Sequence, residues 1–249
     1  MLRPCPRHLL ALLLGFALLS SVQADEPPAG IPANYKLLYS QDFSKPDSLA
    51  DFVMTDAGAW RLAPAADKDP AALELHRQSK YEPAVRSPLN IALVGGQIFG
   101  DCVIEAECLQ TGKEYGHRDM IFVFGFEKPD QFYYTHIATK GDDYANNIFI
   151  VNKAPRLKIS TKTNVGNNWG LGVWHKVRID RRASTGAIKV YFDDLETPMM
   201  EATDKTFGQG WVGFGSFDDT GKVTRIRVWG AESEKKTAAP FVSAAKEKK

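Results

Sequence analysis

The chain of 249 residues contains three cysteines, too few for a small scaffold held together by disulfide bonds. Cys102 and Cys108 lie in one predicted strand. An extended backbone separates their Cα atoms by roughly 20 Å, well beyond the ~7 Å that a disulfide can span. We therefore predict two buried free thiols in a domain that is large enough to build its own core.

An excess of either charge is also absent, since 31 basic residues oppose 30 acidic ones. Without a basic field, the sequence gives no reason to expect a nucleic-acid partner. It also lacks a His/Cys cluster with zinc spacing, a glycine-rich phosphate loop and a Gly-x-Ser-x-Gly nucleophile elbow. We expect no cofactor; a structural calcium ion is the alternative.

Long apolar runs are missing as well. The longest, Leu9 to Leu19, is much shorter than the ~20 residues that a membrane-spanning helix needs. Basic residues precede it, and small residues follow it up to Ala24, which is the pattern of a secretory signal peptide. We expect residues 1–24 to be removed on export, leaving a secreted or periplasmic protein without a transmembrane anchor.

The remaining chain is predicted to form one domain between two flexible terminal segments. Residues 25–34 are rich in proline and predict a linker, and residues 231–249 are rich in Lys, Glu and Ala and predict a disordered charged tail. Between them, residues 35–230 contain short runs of Val, Ile, Phe and Tyr separated by turn residues, with no helical period. The pattern predicts an all-β fold with helix confined to short turns.

Alternation along individual strands predicts which faces are buried. Residues 101–109 place cysteines on one face and Glu105 and Glu107 on the other, as in a half-buried antiparallel strand. Residues 120–126 are apolar on both faces, which predicts a central strand covered on both sides. Residues 186–202 and 208–230 read as two hairpins with Asp-containing turns.

Four segments occur in a familiar order: FGDCVIEAECL, IFVFGFEKPDQFYYTHI, GVWHKVRIDRRASTGAIKVYFDD and GQGWVGFGSFDDTGKVTRIRVWG. This succession resembles the concanavalin A-like, or laminin G-like, jelly roll. Within that group, residues 35–230 are similar to secreted bacterial 3-keto-disaccharide hydrolase domains. The resemblance implies a sandwich of two antiparallel sheets and a carbohydrate substrate or ligand. It does not specify the activity, because this fold carries lectins, glycosidases, lyases and structural modules.

Three ionisable residues are candidates for acid–base chemistry. His117 and Asp119 share one side of a strand that begins near them, and His136 lies on the next strand. An imidazole held by a carboxylate can act as a general acid or base. We predict His117, Asp119 and His136 as catalytic residues, although a strand-end ion pair and a core-edge histidine are the structural alternatives. The alternating three-carboxylate pattern of laminarinase-type glycosidases is absent around Glu105 and Glu107.

Further polar side chains in the same stretch could orient a sugar at a polar concave surface. Their guanidinium, amide and carboxylate groups can form hydrogen bonds with sugar hydroxyl groups. The predicted substrate-binding residues are Arg118, Tyr134, Asp142, Asp143, Asn147, Asn152 and Arg156. Carboxylates could instead hold calcium, either at Asp142 and Asp143 or where Asp42, Asp218 and Asp219 meet. Tyr134 could equally be a residue at the edge of the core.

The sequence thus predicts a monomeric, exported, carbohydrate-active jelly roll, with hydrolysis of a glycosidic bond in a keto-disaccharide or another glycan as the first choice. A glycan-binding module without catalysis and a polysaccharide lyase remain as alternatives. An adhesive envelope protein with laminin-like protein contacts is a third class that the residues leave open.

Overall fold

The computed structural model describes residues 27–244, and within this range the regular structure is almost entirely β-strand. Two short 3₁₀ turns, Ser48–Asp51 and Ala57–Ala59, are the exceptions. None of the described residues forms a helix long and apolar enough to span a bilayer. The predicted signal peptide, residues 1–24, lies outside the described residues. The strands are β1 (Lys36–Gln41), β2 (Phe52–Met54), β3 (Trp60–Ala63), β4 (Ala72–Leu75), β5 (Asn90–Val94), β6 (Gln97–Phe99), β7 (Cys102–Gln110), β8 (Asp119–Lys128), β9 (Gln131–Ala138), β10 (Asn147–Asn152), β11 (Leu157–Lys158), β12 (His175–Arg182), β13 (Ala187–Phe192), β14 (Met200–Thr203), β15 (Trp211–Ser216), β16 (Gly221–Gly230) and β17 (Ser233–Lys235).

The strands form two large antiparallel sheets packed face to face. Sheet A has eight strands in the order β14-β13-β12-β7-β16-β4-β3, with β1 also paired to β16. Sheet B has seven strands in the order β11-β10-β9-β8-β15-β5-β2. A small third sheet joins β17 to β6. This architecture confirms the predicted all-β, concanavalin A-like jelly-roll sandwich.

The main core fills the space between sheets A and B. From β7 it receives Cys102, Ile104, Ala106 and Cys108, and from β8 it receives alternate large side chains that include Phe122. Both thiols are free and buried, as predicted. Burial raises the pKa of Cys102 to about 12, so this cysteine stays a neutral core side chain.

The outer face of sheet B is apolar too. Ile121 and Val123 of β8 belong to a second buried cluster, together with Phe132, Tyr134 and Phe149 of the neighbouring strands. The prediction that residues 120–126 are covered on both sides is therefore confirmed. A sheet that is apolar on both faces needs a second cover besides its partner sheet.

That cover comes partly from the C-terminal segment. The indole Nε1 of Trp211 donates to the carbonyl of Lys236 at 3.0 Å, and Ala238 is buried against the sheet. The ring of Phe241 packs edge-on against those of Tyr81 and Phe126, with centroids 5.5 and 5.6 Å apart. Within the stretch expected to be a disordered tail, residues 233–244 thus contribute a strand and a packed strap.

The two predicted hairpins have different outcomes. Strands β13 and β14 pair antiparallel, which confirms the hairpin at 186–202. The hairpin at 208–230 is wrong, because β15 belongs to sheet B and β16 to sheet A. Residues 217–220 therefore cross from one sheet to the other at a corner of the sandwich. Alternation identifies the buried face of each strand, but it carries no information about which sheet the strand joins.

The first strand pairs with the closing one, but in a register that separates the acidic residues expected to meet. Gln41 lies opposite Ile226, so Asp42 follows the strand near Arg225. Gly221, five residues earlier and roughly 17 Å away along the strand, lies closer to Asp218 and Asp219. The predicted calcium grouping of Asp42 with those two residues is therefore wrong.

Gly215 tests the packing of sheet B. It faces Ile91 across the β15–β5 ladder, and a Cβ atom added to it would overlap the backbone oxygen of Asn90. Because backbone must move to make room, Gly215→Ala should lower the free energy of unfolding by about 3 kcal/mol, the upper part of the usual range for overpacking. Gly208 is the control, since an added Cβ meets nothing within 4 Å. Chemical denaturation in which both variants resemble the parent would contradict this ladder.

Candidate functional site

Polar groups gather where the chain crosses from β15 to β16. Asp119, the first residue of β8, is fully buried. Its carboxylate accepts hydrogen bonds from Ser216 Oγ at 2.9 Å and from the backbone N–H of Phe217 at 3.0 Å. The backbone N–H of Asp119 donates to Asp219 at 3.1 Å. These bonds connect the corner to the first residue of β8, a central strand of sheet B.

His136 lies beside Asp119 on the outer face of sheet B. Its Nε2 is 3.7 Å from Asp119 Oδ2, and its Nδ1 accepts the backbone N–H of Asn146 at 3.4 Å. This contact assigns the hydrogen of the neutral imidazole to Nε2, directed at Asp119. Only 3% of His136 is exposed, so neither ring nitrogen is free to meet a ligand from solvent.

Burial shifts the two groups in opposite directions. Loss of solvent raises the pKa of Asp119 well above the ordinary carboxyl value, and the neighbouring Asp219 raises it further. Loss of solvent lowers the pKa of His136 well below the ordinary imidazole value, with the positive charge of Arg156 acting in the same sense. Both shifts favour the uncharged forms of the pair.

Arg156 and Arg86 cover this pair on the solvent side. The guanidinium of Arg156 lies 4.1 Å from the ring centroid of Phe217 and 4.7 Å from that of Phe149, and its Nη1 donates to Tyr134 Oη at 2.8 Å. The guanidinium of Arg86 lies 5.7 Å from the same Phe217 centroid. Phe217 and Arg156 are half-buried, whereas Arg86 is exposed. We call the surface formed by Arg86, Arg156, Phe217 and Asp218 the corner site.

The sequence predicted that His117 pairs with Asp119, but in the structure the two side chains do not pair. The Nε2 of His117 lies 2.6 Å from Asp142 Oδ2 in an exposed ion pair at the end of the sheet, while Asp119 is buried beside His136. The structure therefore separates the predicted catalytic residues into one exposed pair and one buried pair. Strand alternation placed His117 and Asp119 on one side, but it could not reveal that a loop delivers Asp142 to the imidazole.

Asn147 is buried and holds the loop that carries Asp142. Its Nδ2 donates to the carbonyl oxygens of Asp142 at 2.6 Å and Ala145 at 2.9 Å. Its Oδ1 is buried without a hydrogen-bond partner among the described residues. Asn147 thus shapes the rim of the site through the backbone of residues 142–145.

Three predicted binding residues lie apart from the corner site. Arg118 is buried, and its guanidinium donates to the side chain of Gln110 at 2.6 Å and to the carbonyl of Gly170 at 2.9 Å. Asp143 is exposed and forms an ion pair with a lysine of β11. Asn152 ends β10 on the face opposite to Phe149. None of these three side chains shares a contact with Asp119, His136 or Arg156 within residues 27–244.

Sequence reasoning missed the ring and one of the arginines that form the site. Phe217 follows the GWVGFGS strand and Arg86 lies in a proline-containing loop, so neither shows a local functional signal. Two exposed tyrosines, Tyr115 and Tyr144, also lie in loops at this end of the sheet. Their exposure beside a polar cluster is visible only in the folded chain.

Three carboxylates could hold a hard cation at the corner. Oxygen atoms of Asp119, Asp218 and Asp219 all lie within 4.8 Å of one another, a ligand type that calcium prefers. Two of these carboxylates are already hydrogen-bonded: Asp119 accepts from Ser216 and Phe217, and Asp219 accepts from Tyr115 Oη at 2.9 Å. Desolvation and Asp218 raise the pKa of Asp219, as expected of crowded carboxylates.

Two open cavities of about 590 and 600 Å³ lie on the other side of the molecule, against the outer face of sheet A. Asp42, Lys45 and Arg225 line both of them, and none of the predicted catalytic or substrate-binding residues lines either. We place the candidate site at the corner because buried groups with shifted pKa values, an aromatic ring and two guanidinium groups meet there.

Solved structures share the fold. The chain is similar to the carbohydrate-binding module CBM66 from Bacillus subtilis, with a TM-score of 0.50 and 13% identity over 72% of this chain and 94% of the module. A protein of unknown function with a galectin-like fold from Bacillus subtilis (TM-score 0.49, 10% identity, 81% and 100% coverage) and the Lotus tetragonolobus seed lectin (0.45, 11%, 80% and 99%) are also similar. No family model and no curated protein matches the sequence. The first similarity identifies the fold, and the family remains unassigned.

His136 predicts a pH dependence of stability. Because its folded pKa is lowered, the unfolded chain takes up this proton near pH 6.5 while the folded chain takes it up only at lower pH. Taken alone, this group should make folding stability fall as the pH drops from 7 towards 5, by up to about 1.4 kcal/mol per pH unit for one proton. The raised pKa of Asp119 acts in the opposite sense, favouring the folded state at low pH.

Removing the imidazole isolates its contribution. In urea-unfolding measurements between pH 7 and 5, the free energy of unfolding of His136→Asn should fall less than that of the parent, or rise more, because only the opposing contribution of Asp119 is left. His76→Asn, at an exposed position, should follow the parent. An unchanged slope in His136→Asn would show that the buried imidazole does not control stability in this range.

Proposed function

We propose that this protein binds carbohydrate at the corner site. The carrying observation is a partly exposed aromatic ring, Phe217, with the guanidinium groups of Arg156 and Arg86 over it, 4.1 and 5.7 Å from its centroid. Sugar rings stack their C–H faces on aromatic rings, and planar guanidinium groups donate paired hydrogen bonds to adjacent oxygen atoms. An apolar platform with a few oriented polar groups is the usual composition of a small-ligand site.

Burial of the titratable pair favours binding over catalysis. Asp119 has no exposed surface and His136 has almost none, and both imidazole nitrogens already have neighbours in the fold. Their positions beneath Phe217 and Arg156 support a role in holding the platform. The similarity to a module named for carbohydrate binding agrees with this proposal. In this view the protein acts as an exported monomer and requires no cofactor.

Cleavage of a glycosidic bond is the second candidate. It is favoured by one observation: the raised pKa of Asp119 allows this carboxyl to keep a proton, as a general acid must. The candidate requires that a bound sugar reach Asp119 beneath Phe217. A lyase reaction receives no separate support from the geometry.

Loss of the ring should weaken binding. Phe217→Ala should reduce the affinity for the best ligand in a glycan array about tenfold, because stacking on one aromatic ring contributes about 1.4 kcal/mol. Tyr191→Ala, which removes a half-buried ring from the outer face of sheet A, is the matched control. Titration calorimetry that finds equal affinities for the two variants would place the glycan elsewhere.

Product analysis separates the two candidates. Mass spectrometry after incubation with the array ligands and with 3-keto-disaccharides should detect no new saccharides if the protein only binds. New products that disappear in Asp119→Asn, at unchanged thermal stability, would establish cleavage and assign the acid. Products that persist in this variant would assign the chemistry to another residue.

A further inference from the structure

The two guanidinium groups of the corner site have no acidic partner among the residues that the structure describes. Among residues 27–244, none of the carboxylates lies within 4.0 Å of the guanidinium nitrogens of Arg86 or Arg156. Two cations beside one ring repel each other, and such an arrangement is favourable when an anion lies between them. Five other arginines do form ion pairs with carboxylates: Arg61, Arg77, Arg178, Arg182 and Arg225.

Two donor atoms of the Arg156 guanidinium, Nε and Nη2, have no hydrogen-bond partner among the described residues. Its Nη1 donates to Tyr134 Oη, and the rings of Phe149 and Phe217 both lie against the guanidinium group. The opposite edge, formed by Nε and Nη2, has no partner among the described residues, and its Nε is buried. Because Nε has no exposed surface, a carboxylate that arrives from solvent would meet Nη2 of Arg156 and the exposed guanidinium of Arg86. The guanidinium is thus preorganised, with an unsatisfied donor.

We propose that the corner site recognises an acidic glycan, whose sugar carboxylate lies between Arg86 and Arg156 while its ring lies against Phe217. This inference rests on the proposed carbohydrate-binding function and specifies the ligand class. A neutral sugar could use the ring, but it would leave both positive charges without a counterion. Asp218 is exposed next to Phe217, so the carboxylate must approach from the side of the arginines.

The state of the buried pair is consistent with an anionic ligand. The raised pKa of Asp119 favours its neutral form, which removes a negative charge from beneath the site. Burial and Arg156 keep the imidazole of His136 neutral as well. The positive charge nearest to the ring therefore remains that of the two arginines.

Matched acidic and neutral ligands test the inference. Oligomers of galacturonate, mannuronate, guluronate and glucuronate would be titrated calorimetrically into the full-length protein, each alongside its methyl ester, which keeps the rings and linkages but removes the charge. At least one free acid should bind ten or more times more tightly than its ester. Its affinity should fall as salt is raised from 50 to 300 mM, because screening weakens charge pairing.

Arginine variants locate the contact. Arg156→Gln and Arg86→Gln should each reduce affinity for the acid at least tenfold and change affinity for the ester less than threefold. Arg227→Gln is the control, since Arg227 is exposed on the opposite sheet and forms no ion pair within residues 27–244. Arg86 is exposed, so its variant keeps the test valid even if Arg156→Gln unfolds.

The failures of the two proposals are distinguishable. Equal binding of acids and esters, or binding of neutral glycans alone with loss in Phe217→Ala, would overturn the acidic-glycan inference and leave carbohydrate binding intact. Binding of an acid that Arg86→Gln and Arg156→Gln do not change would also overturn it. Absence of binding to every acidic and neutral glycan would overturn both.

Discussion

The architecture depends on one constraint: sheet B is apolar on both of its faces. Its inner face packs against sheet A, and its outer face carries Ile121, Phe132 and Phe149, which must also be removed from water. The C-terminal strap covers one part of that face through Phe241 and Ala238. The loop around residues 81–89 covers another part. Where these covers end, at the corner between β15 and β16, the polar site reaches the surface.

The same constraint explains why ionisable groups lie in an apolar setting. Asp119 and His136 occupy outward positions of β8 and β9, in line with the apolar cluster, so their burial follows from the strand geometry. Asp119 is tolerated because Ser216 and Phe217 hydrogen-bond its carboxylate. Those bonds also fix Phe217, and Phe217 positions Arg156. A buried carboxylate is thereby connected, contact by contact, to the surface that we propose as the binding site.

Sequence reasoning predicted the fold because periodicity and apolar content determine which strand faces are buried. The alternation of residues 101–109 and the doubly apolar run 120–126 predicted β-strands and their buried faces, and the two-sheet sandwich was implied by the resemblance to concanavalin A-like domains. Sequence reasoning failed where contacts between distant segments determine the structure. His117 pairs with Asp142 across a loop, and β15 and β16 belong to two different sheets. Phe217 and Arg86 join the site through chain crossings that leave no local signal. The candidate residues His136, Tyr134 and Arg156 do meet: Tyr134 and His136 are alternate residues of β9, and the connection between β10 and β11 brings Arg156 to Tyr134.

The location of the bound glycan is the central claim, and amide hydrogen exchange with and without a saturating glycan tests it most directly. Binding at the corner should slow exchange in residues 84–89, 154–158 and 215–219, where the two arginines and the ring are held. The strands of sheet A should exchange at unchanged rates. Protection confined to residues 42–47 and 225–227, around the cavities on the opposite sheet, would contradict the account and move the binding site to sheet A.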